Sequence, residues 1–140
     1  MSVYKEIKTE FRNPASLLAA LADLDATSEC VHPRENLTKL VSHWHSNPPQ
    51  DVAIAINRDN ASRVGLGDFD GLGFRWTGDG YAVVQDRLDA NKIEIAARMN
   101  QLKQRYAFHE VTRQARAKGY TVQTVEENGT LRLTLRKREP

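Results

Sequence analysis

Cysteine is almost missing from this chain. Cys30 is the only one in 140 residues, so no internal disulfide can form, and that usage fits a reducing compartment. Long apolar runs are missing too. None reaches the ~18 residues that a membrane-spanning helix needs, so no membrane insertion is expected. Residues 1–6 lack the apolar core of a secretory signal, and a cytoplasmic location follows as the expectation. A strong overall charge of one sign is likewise absent, the formal balance being only +2.

What is present is an ordinary globular composition, 40% apolar and 27% charged. A chain of this length folds as one domain, 1–140, and can bury roughly two-thirds of its surface without staples. Its charge is unevenly placed. From Arg98 onward there are ten Lys/Arg against four Asp/Glu, a balance of +6; before it there are ten against fourteen, a balance of −4. Such asymmetry points to a basic surface able to meet an anionic partner, although a solvated helix and strand would carry the same residues.

Residues 3–11 read as a strand with Val3, Ile7 and Phe11 on one face. Asn13-Pro14 then starts a helix, Asn as cap and Pro at the first helical position. Leu17, Leu18, Leu21 and Leu24 form its stripe, and the helix ends near Asp25. In residues 35–45, Leu37, Leu40, Val41 and Trp44 predict a short helix stopped by Pro48-Pro49. The all-apolar run 52–56 predicts a buried strand, and the turn-rich 58–71 a loop. Residues 72–76 and 81–85 pair as a hairpin across Thr77-Gly78-Asp79-Gly80. Asn91, with Glu94 three residues on, predicts the cap of a long helix running to about Lys118. Ile95, Met99, Leu102 and Tyr106 line it, and Gly119 ends it in the left-handed region. Residues 120–125 and 131–137 form a last hairpin across Asn128-Gly129. Its alternation predicts Leu131, Leu133 and Leu135 buried and Arg132 and Arg136 exposed. The sum is an α+β fold: a mainly antiparallel sheet of about six strands with two main helices packed on one face.

Four segments carry a resemblance: GFRWTGDGY at 73–81, QLKQRYAFH at 101–109, ARAKGY at 115–120 and NGTLRLTL at 128–135. With Ile7-Lys8-Thr9 leading into Leu17 to Leu24, they resemble the uncharacterised family of hypothetical chloroplast reading frame 35, of cyanobacteria and red-algal plastids. The likeness covers roughly the first twenty-five residues and the stretch from Leu72 onward, with residues 27–71 departing from it. It implies a soluble accessory protein, cytoplasmic or stromal if plastid-encoded, and it carries over no catalytic residues and no cofactor.

Cys30, His32, His43 and His45 form C-x-H and H-x-H pairs of residue types that bind zinc, but their spacing is not that of structural zinc sites, so no metal is expected. Cys30 beside His32 lacks any flanking motif of nucleophilic catalysis. The glycine-rich stretch 65–73 has a strand after it where a phosphate cradle needs a helix N-terminus. Leu72, Phe74 and Trp76 share a face and echo the aromatic strand of an RNA-binding sheet, but such faces are more often core; exposure of Phe74 and Trp76 is the test. Arg98, Arg105 and Arg116 fall near one side of the long helix, with Arg113 close by, and Arg132 and Arg136 follow on the last strand. The reading is a non-enzymatic accessory protein that binds an acidic protein partner through these six arginines. A nucleic-acid-binding module using the same charges is the alternative, and a metal-dependent redox accessory using Cys30 and the histidines a second one.

Overall fold

The computed structural model describes residues 4–8, 10–42, 48–128 and 130–137; for 4–8, 127, 130 and 131 it gives the backbone alone. Among the described residues there are eight strands and four helices. In chain order they are β1 (Tyr4–Lys8), α1 (Pro14–Asp23), β2 (Thr38–Leu40), β3 (Gln50–Val52), β4 (Ile54–Ile56), α2 (Arg58–Val64), β5 (Leu72–Trp76), β6 (Tyr81–Asp86), α3 (Arg87–Ala90), α4 (Ile93–Ala117), β7 (Tyr120–Glu127) and β8 (Thr130–Lys137). Every strand pair is antiparallel. The fold is α+β, as expected, but its strands form three sheets: β1-β6-β5-β4, β2-β3 and β7-β8.

The four-stranded sheet is the centre. Ile54, Ile56, Leu72, Phe74, Tyr81 and Val83 pack on one face with Leu17, Ala20 and Leu21 of α1 and Ile95, Met99, Leu102 and Tyr106 of α4. This is the helical face the leucine stripes called for. The other face is covered by the small β2-β3 hairpin, where Leu40 and Val52 meet Ala55 and Val84. Gly73 makes that approach feasible, because a Cβ there would stand 2.9 Å from Val52 Cγ1 and 3.0 Å from Leu40 Cδ2. Arg75 fastens the same hairpin, its Nε donating to the Asp51 carbonyl at 3.1 Å and its Nη2 to Gln50 Oε1 at 3.0 Å.

The two long helices are set against each other by polar contacts as well as by the core. Asn13 caps α1, Oδ1 accepting from the Ser16 N–H at 3.1 Å. The Tyr106 hydroxyl of α4 accepts from the Arg12 and Asn13 N–H groups at 2.8 and 3.0 Å. The Ser16 hydroxyl donates to Glu110 Oε1 at 2.8 Å.

Several expectations need correction. The helix expected in 35–45 is not there: β2 occupies Thr38–Leu40, and Asn36 instead binds the Trp76 backbone through both amide atoms. Residues 43–47 lie outside the described ones. The run 52–56 is two strands of different sheets with Ala53 between them. The 58–71 stretch opens with helix α2, which Asn57 caps through the Asn60 N–H and Gly65 ends at φ 78°. Asn91 does not cap α4; it closes the short α3, and α4 starts after Lys92 without a side-chain cap.

The largest correction concerns the last hairpin. Its register is well formed, with Val122 opposite Leu135 and Thr124 opposite Leu133. Yet Leu133 is only half-buried and Leu135 is 46% exposed, while Arg132 and Arg136 are exposed as expected. The Leu131 side chain lies outside the described residues. The reason is topological: among the described residues β7-β8 joins no other strand and leans on α4, so its apolar face has little to bury against.

Candidate functional site

The six arginines separate into three groups. Arg98 and Arg105, on the flank of α4 that meets α1, are occupied within the molecule. Arg98 Nε donates to the Val64 carbonyl at 2.9 Å and Nη1 to Gln101 Oε1 at 2.6 Å, so it ties α4 to the end of α2. Arg105 Nε meets Asp23 Oδ2 at 2.7 Å, and its guanidinium lies over the Phe108 ring at 4.8 Å. His109 Nε2 reaches the same Asp23 oxygen at 2.6 Å. Burial pushes the Asp23 carboxyl up, but the His109 and Arg105 contacts outweigh it and hold the carboxyl below its usual range.

Arg113 is exposed and grips Glu110 with two bonds of 2.9 Å, one turn away on the same helix. With burial opposing, this guanidinium, the Ser16 hydroxyl and the Gln114 amide hold Glu110 down to about 2. Arg113 therefore offers a largely neutralised pair rather than a bare cation.

The third group is different. Arg116 stands exposed in the last turn of α4 with Lys118 just beyond, and Arg132, Arg136 and Lys137 stand exposed on β8. Among the described residues Arg116, Lys118 and Arg136 have no ion pair. The β7-β8 register places Arg136 opposite Thr121 and Arg132 opposite Val125, so both arginines share one face of the ribbon with Val125, itself 48% exposed. The other face carries Val122, Leu133 and Leu135. Geometry thus gathers a two-stranded ribbon, basic on one side and partly apolar on the other, attached through α4. Sequence reasoning found these arginines but not the exposure of Leu135 and Val125; no signal in a clean alternation says that a face lacks a partner layer.

The remaining candidates hold little chemistry. Cys30 is half-buried and packs beside the main core, and burial pushes its thiol up, the reverse of what an activated thiolate needs. Beside it, burial pushes the Tyr81 phenol up to about 12, and its hydroxyl donates to the Pro33 carbonyl. His32 is exposed, its Nδ1 accepting from the Arg34 N–H at 3.1 Å. His43 and His45 lie outside the described residues, and among the described ones no three metal-ligating side chains converge. Phe74 is 0% exposed and Trp76 is half-buried against the core, so this face of the strand packs on the helices. No described helix is long and apolar enough to cross a membrane. The stretch 65–73 holds a well-built loop: Asp89, fully buried, accepts from the N–H groups of Asp68, Phe69 and Asp70 at 2.9–3.1 Å. A loop whose donors already face a carboxylate has none left to cradle a phosphate.

Comparison with known proteins agrees with the motif resemblance and extends it. The family described as "Protein of unknown function (DUF1257)" matches residues 20–134, a span that includes the 27–71 segment the motifs left unmatched. The uncharacterized protein ycf35 of Guillardia theta is 27% identical over 148 residues, covering the whole of both chains. No solved structure matches this chain.

Proposed function

We propose, from the premise that this chain belongs to the DUF1257 family of proteins of unknown function, that it is a non-enzymatic accessory protein docking an acidic protein partner. The docking surface is the β7-β8 ribbon with the last turn of α4. One observation carries this reading. Exposed Arg132 and Arg136 share one face of the ribbon with Val125, 48% exposed, with Arg116 exposed in the last turn of α4, while the opposite face carries Leu135, 46% exposed, and Lys137; among the described residues the ribbon packs mainly on α4. Arginine and apolar side chains side by side are what a protein interface draws on, charge orienting the encounter and apolar contact slowing release.

The reading narrows the earlier one. Arg98 and Arg105 tie α4 to neighbouring elements and Arg113 is paired with Glu110 on its own helix, so the partner meets the distal residues. It works in the cytoplasm, or in the stroma where the gene is plastid-borne. The test is co-purification from the protein's own cells after nuclease treatment. An acidic protein that stays bound after nuclease and is released by moderate salt is the expected result, since exposed charge pairs are screened within about 10 Å at 0.1 M salt. Loss of all associated material on nuclease treatment would favour a nucleic acid instead.

A further inference from the structure

A second feature, on residues other than the ribbon's, is a cavity of about 160 Å³ between β6 and the first turns of α4. Its wall is apolar, built by Val83 of β6 and by Ile95 and Met99, one turn apart on α4. Three polar groups line it as well. Gln85, two residues along β6 from Val83, is only 4% exposed, and its Nε2 has no hydrogen-bond partner among the described residues. Asn100 and Lys103 are exposed on α4, and Lys103 has no ion pair among the described residues. A buried amide N–H without a partner is uncommon and costly, and a ligand acceptor would relieve it.

We propose that this cavity binds a small monocarboxylate with a branched or aromatic apolar body. Among the described residues the lining supplies an ammonium and two side-chain amides and no acidic residue, which selects an anion. Its volume is close to the ~150 Å³ of apolar cavities that take up benzene, too small for a nucleotide. Inorganic phosphate would leave Val83, Ile95 and Met99 without contact. A carboxylate whose oxygens accept from Lys103 Nζ and the Gln85 amide, with its hydrocarbon body on Met99 and Ile95, uses both the charge and the apolar wall of the lining.

The test is a titration of isotope-labelled protein followed by NMR, with isovalerate and benzoate as probes and isovaleramide and acetate as controls. Both acids are expected to shift the Met99 methyl and Gln85 side-chain amide signals saturably. Isovaleramide should bind at least about tenfold more weakly, and so should isovalerate to a Lys103→Met variant, a factor typical of one charge-assisted hydrogen bond. Acetate, lacking the apolar body, should leave the Met99 signal in place. Lys103 is exposed, so its substitution keeps the fold. Gln85→Met, which fills the same space, should also weaken the acids while melting no lower than the parent. Absence of saturable shifts with both acids, or equal affinity for isovalerate and isovaleramide, overturns the proposal. So does undiminished binding by Lys103→Met.

Discussion

Single side chains decide where the stability of this molecule lies. Leu102 is fully buried beneath the sheet, so Leu102→Ala should cost about 2–5 kcal/mol in urea denaturation. Leu135→Ala, half exposed, should stay within about 0.5 kcal/mol; equal effects would mean that the ribbon is part of the core after all. Asp89 is the other strong point. Asp89→Ala would strip the acceptor from three backbone N–H groups at once and should cost at least about 3 kcal/mol, each orphaned donor being worth roughly 1–3. Glu110 gives a pH signature. Its folded value, about 2, lies below the ordinary glutamate value of 4.5. The stability it contributes is therefore complete above about pH 4.5 and is lost as the pH falls toward 2. Glu110→Gln should flatten the fall of the melting temperature across that window; an unchanged acid limb would show that the Arg113 and Ser16 bonds contribute nothing there.

At the scale of elements, the ribbon is the part set apart. A two-stranded sheet is marginal alone, and among the described residues β7-β8 packs mainly on α4. Amide exchange at Val122 and Thr124 should accordingly be much faster than at Phe74 or Val83 in the central sheet. Matching protection in both sheets would contradict this. The same element shows where sequence reasoning stops. The hairpin over Asn128-Gly129 and both long helices were legible, because turn chemistry and a 3.6-residue stripe are local signals. The cap at Asn13 was legible for the same reason. The α2 helix in 58–71 was not, since only Ala61 and Val64 of its seven residues are buried and no stripe forms. Nor was the β2 strand, where Leu37 and Val41 mimic a helical face but stand exposed while Thr38 and Leu40, two residues apart, turn inward. Burial of Leu133 and Leu135 failed for a non-local reason: alternation tells which side chains share a face, not whether another layer covers it.

For the whole molecule, the charge asymmetry of the sequence becomes a division of labour. Arg98, Arg105 and Arg113 are engaged within the molecule, by the Val64 carbonyl at the end of α2, by Asp23 of α1 and by Glu110 on the same helix. The distal end keeps Arg116, Arg132 and Arg136 at the surface. The candidate site was thus half legible: helical and strand spacing gave the residues, but only packing could sort structural arginines from presented ones. The account stands or falls on that sorting. Arg116→Glu, Arg132→Glu and Arg136→Glu, combined in one chain, should leave the melting temperature within a few degrees, since exposed substitutions usually stay within about 0.5 kcal/mol each. By contrast, Arg98→Glu with Arg105→Glu should melt clearly lower. The most direct measurement is capture of the nuclease-resistant acidic partner by the triple variant beside the parent, at equal folded concentration. Loss of at least about nine-tenths of the captured partner, a free-energy change near 1.4 kcal/mol or more, is the predicted result. Undiminished capture by a folded triple variant would contradict it and move the interface off the ribbon.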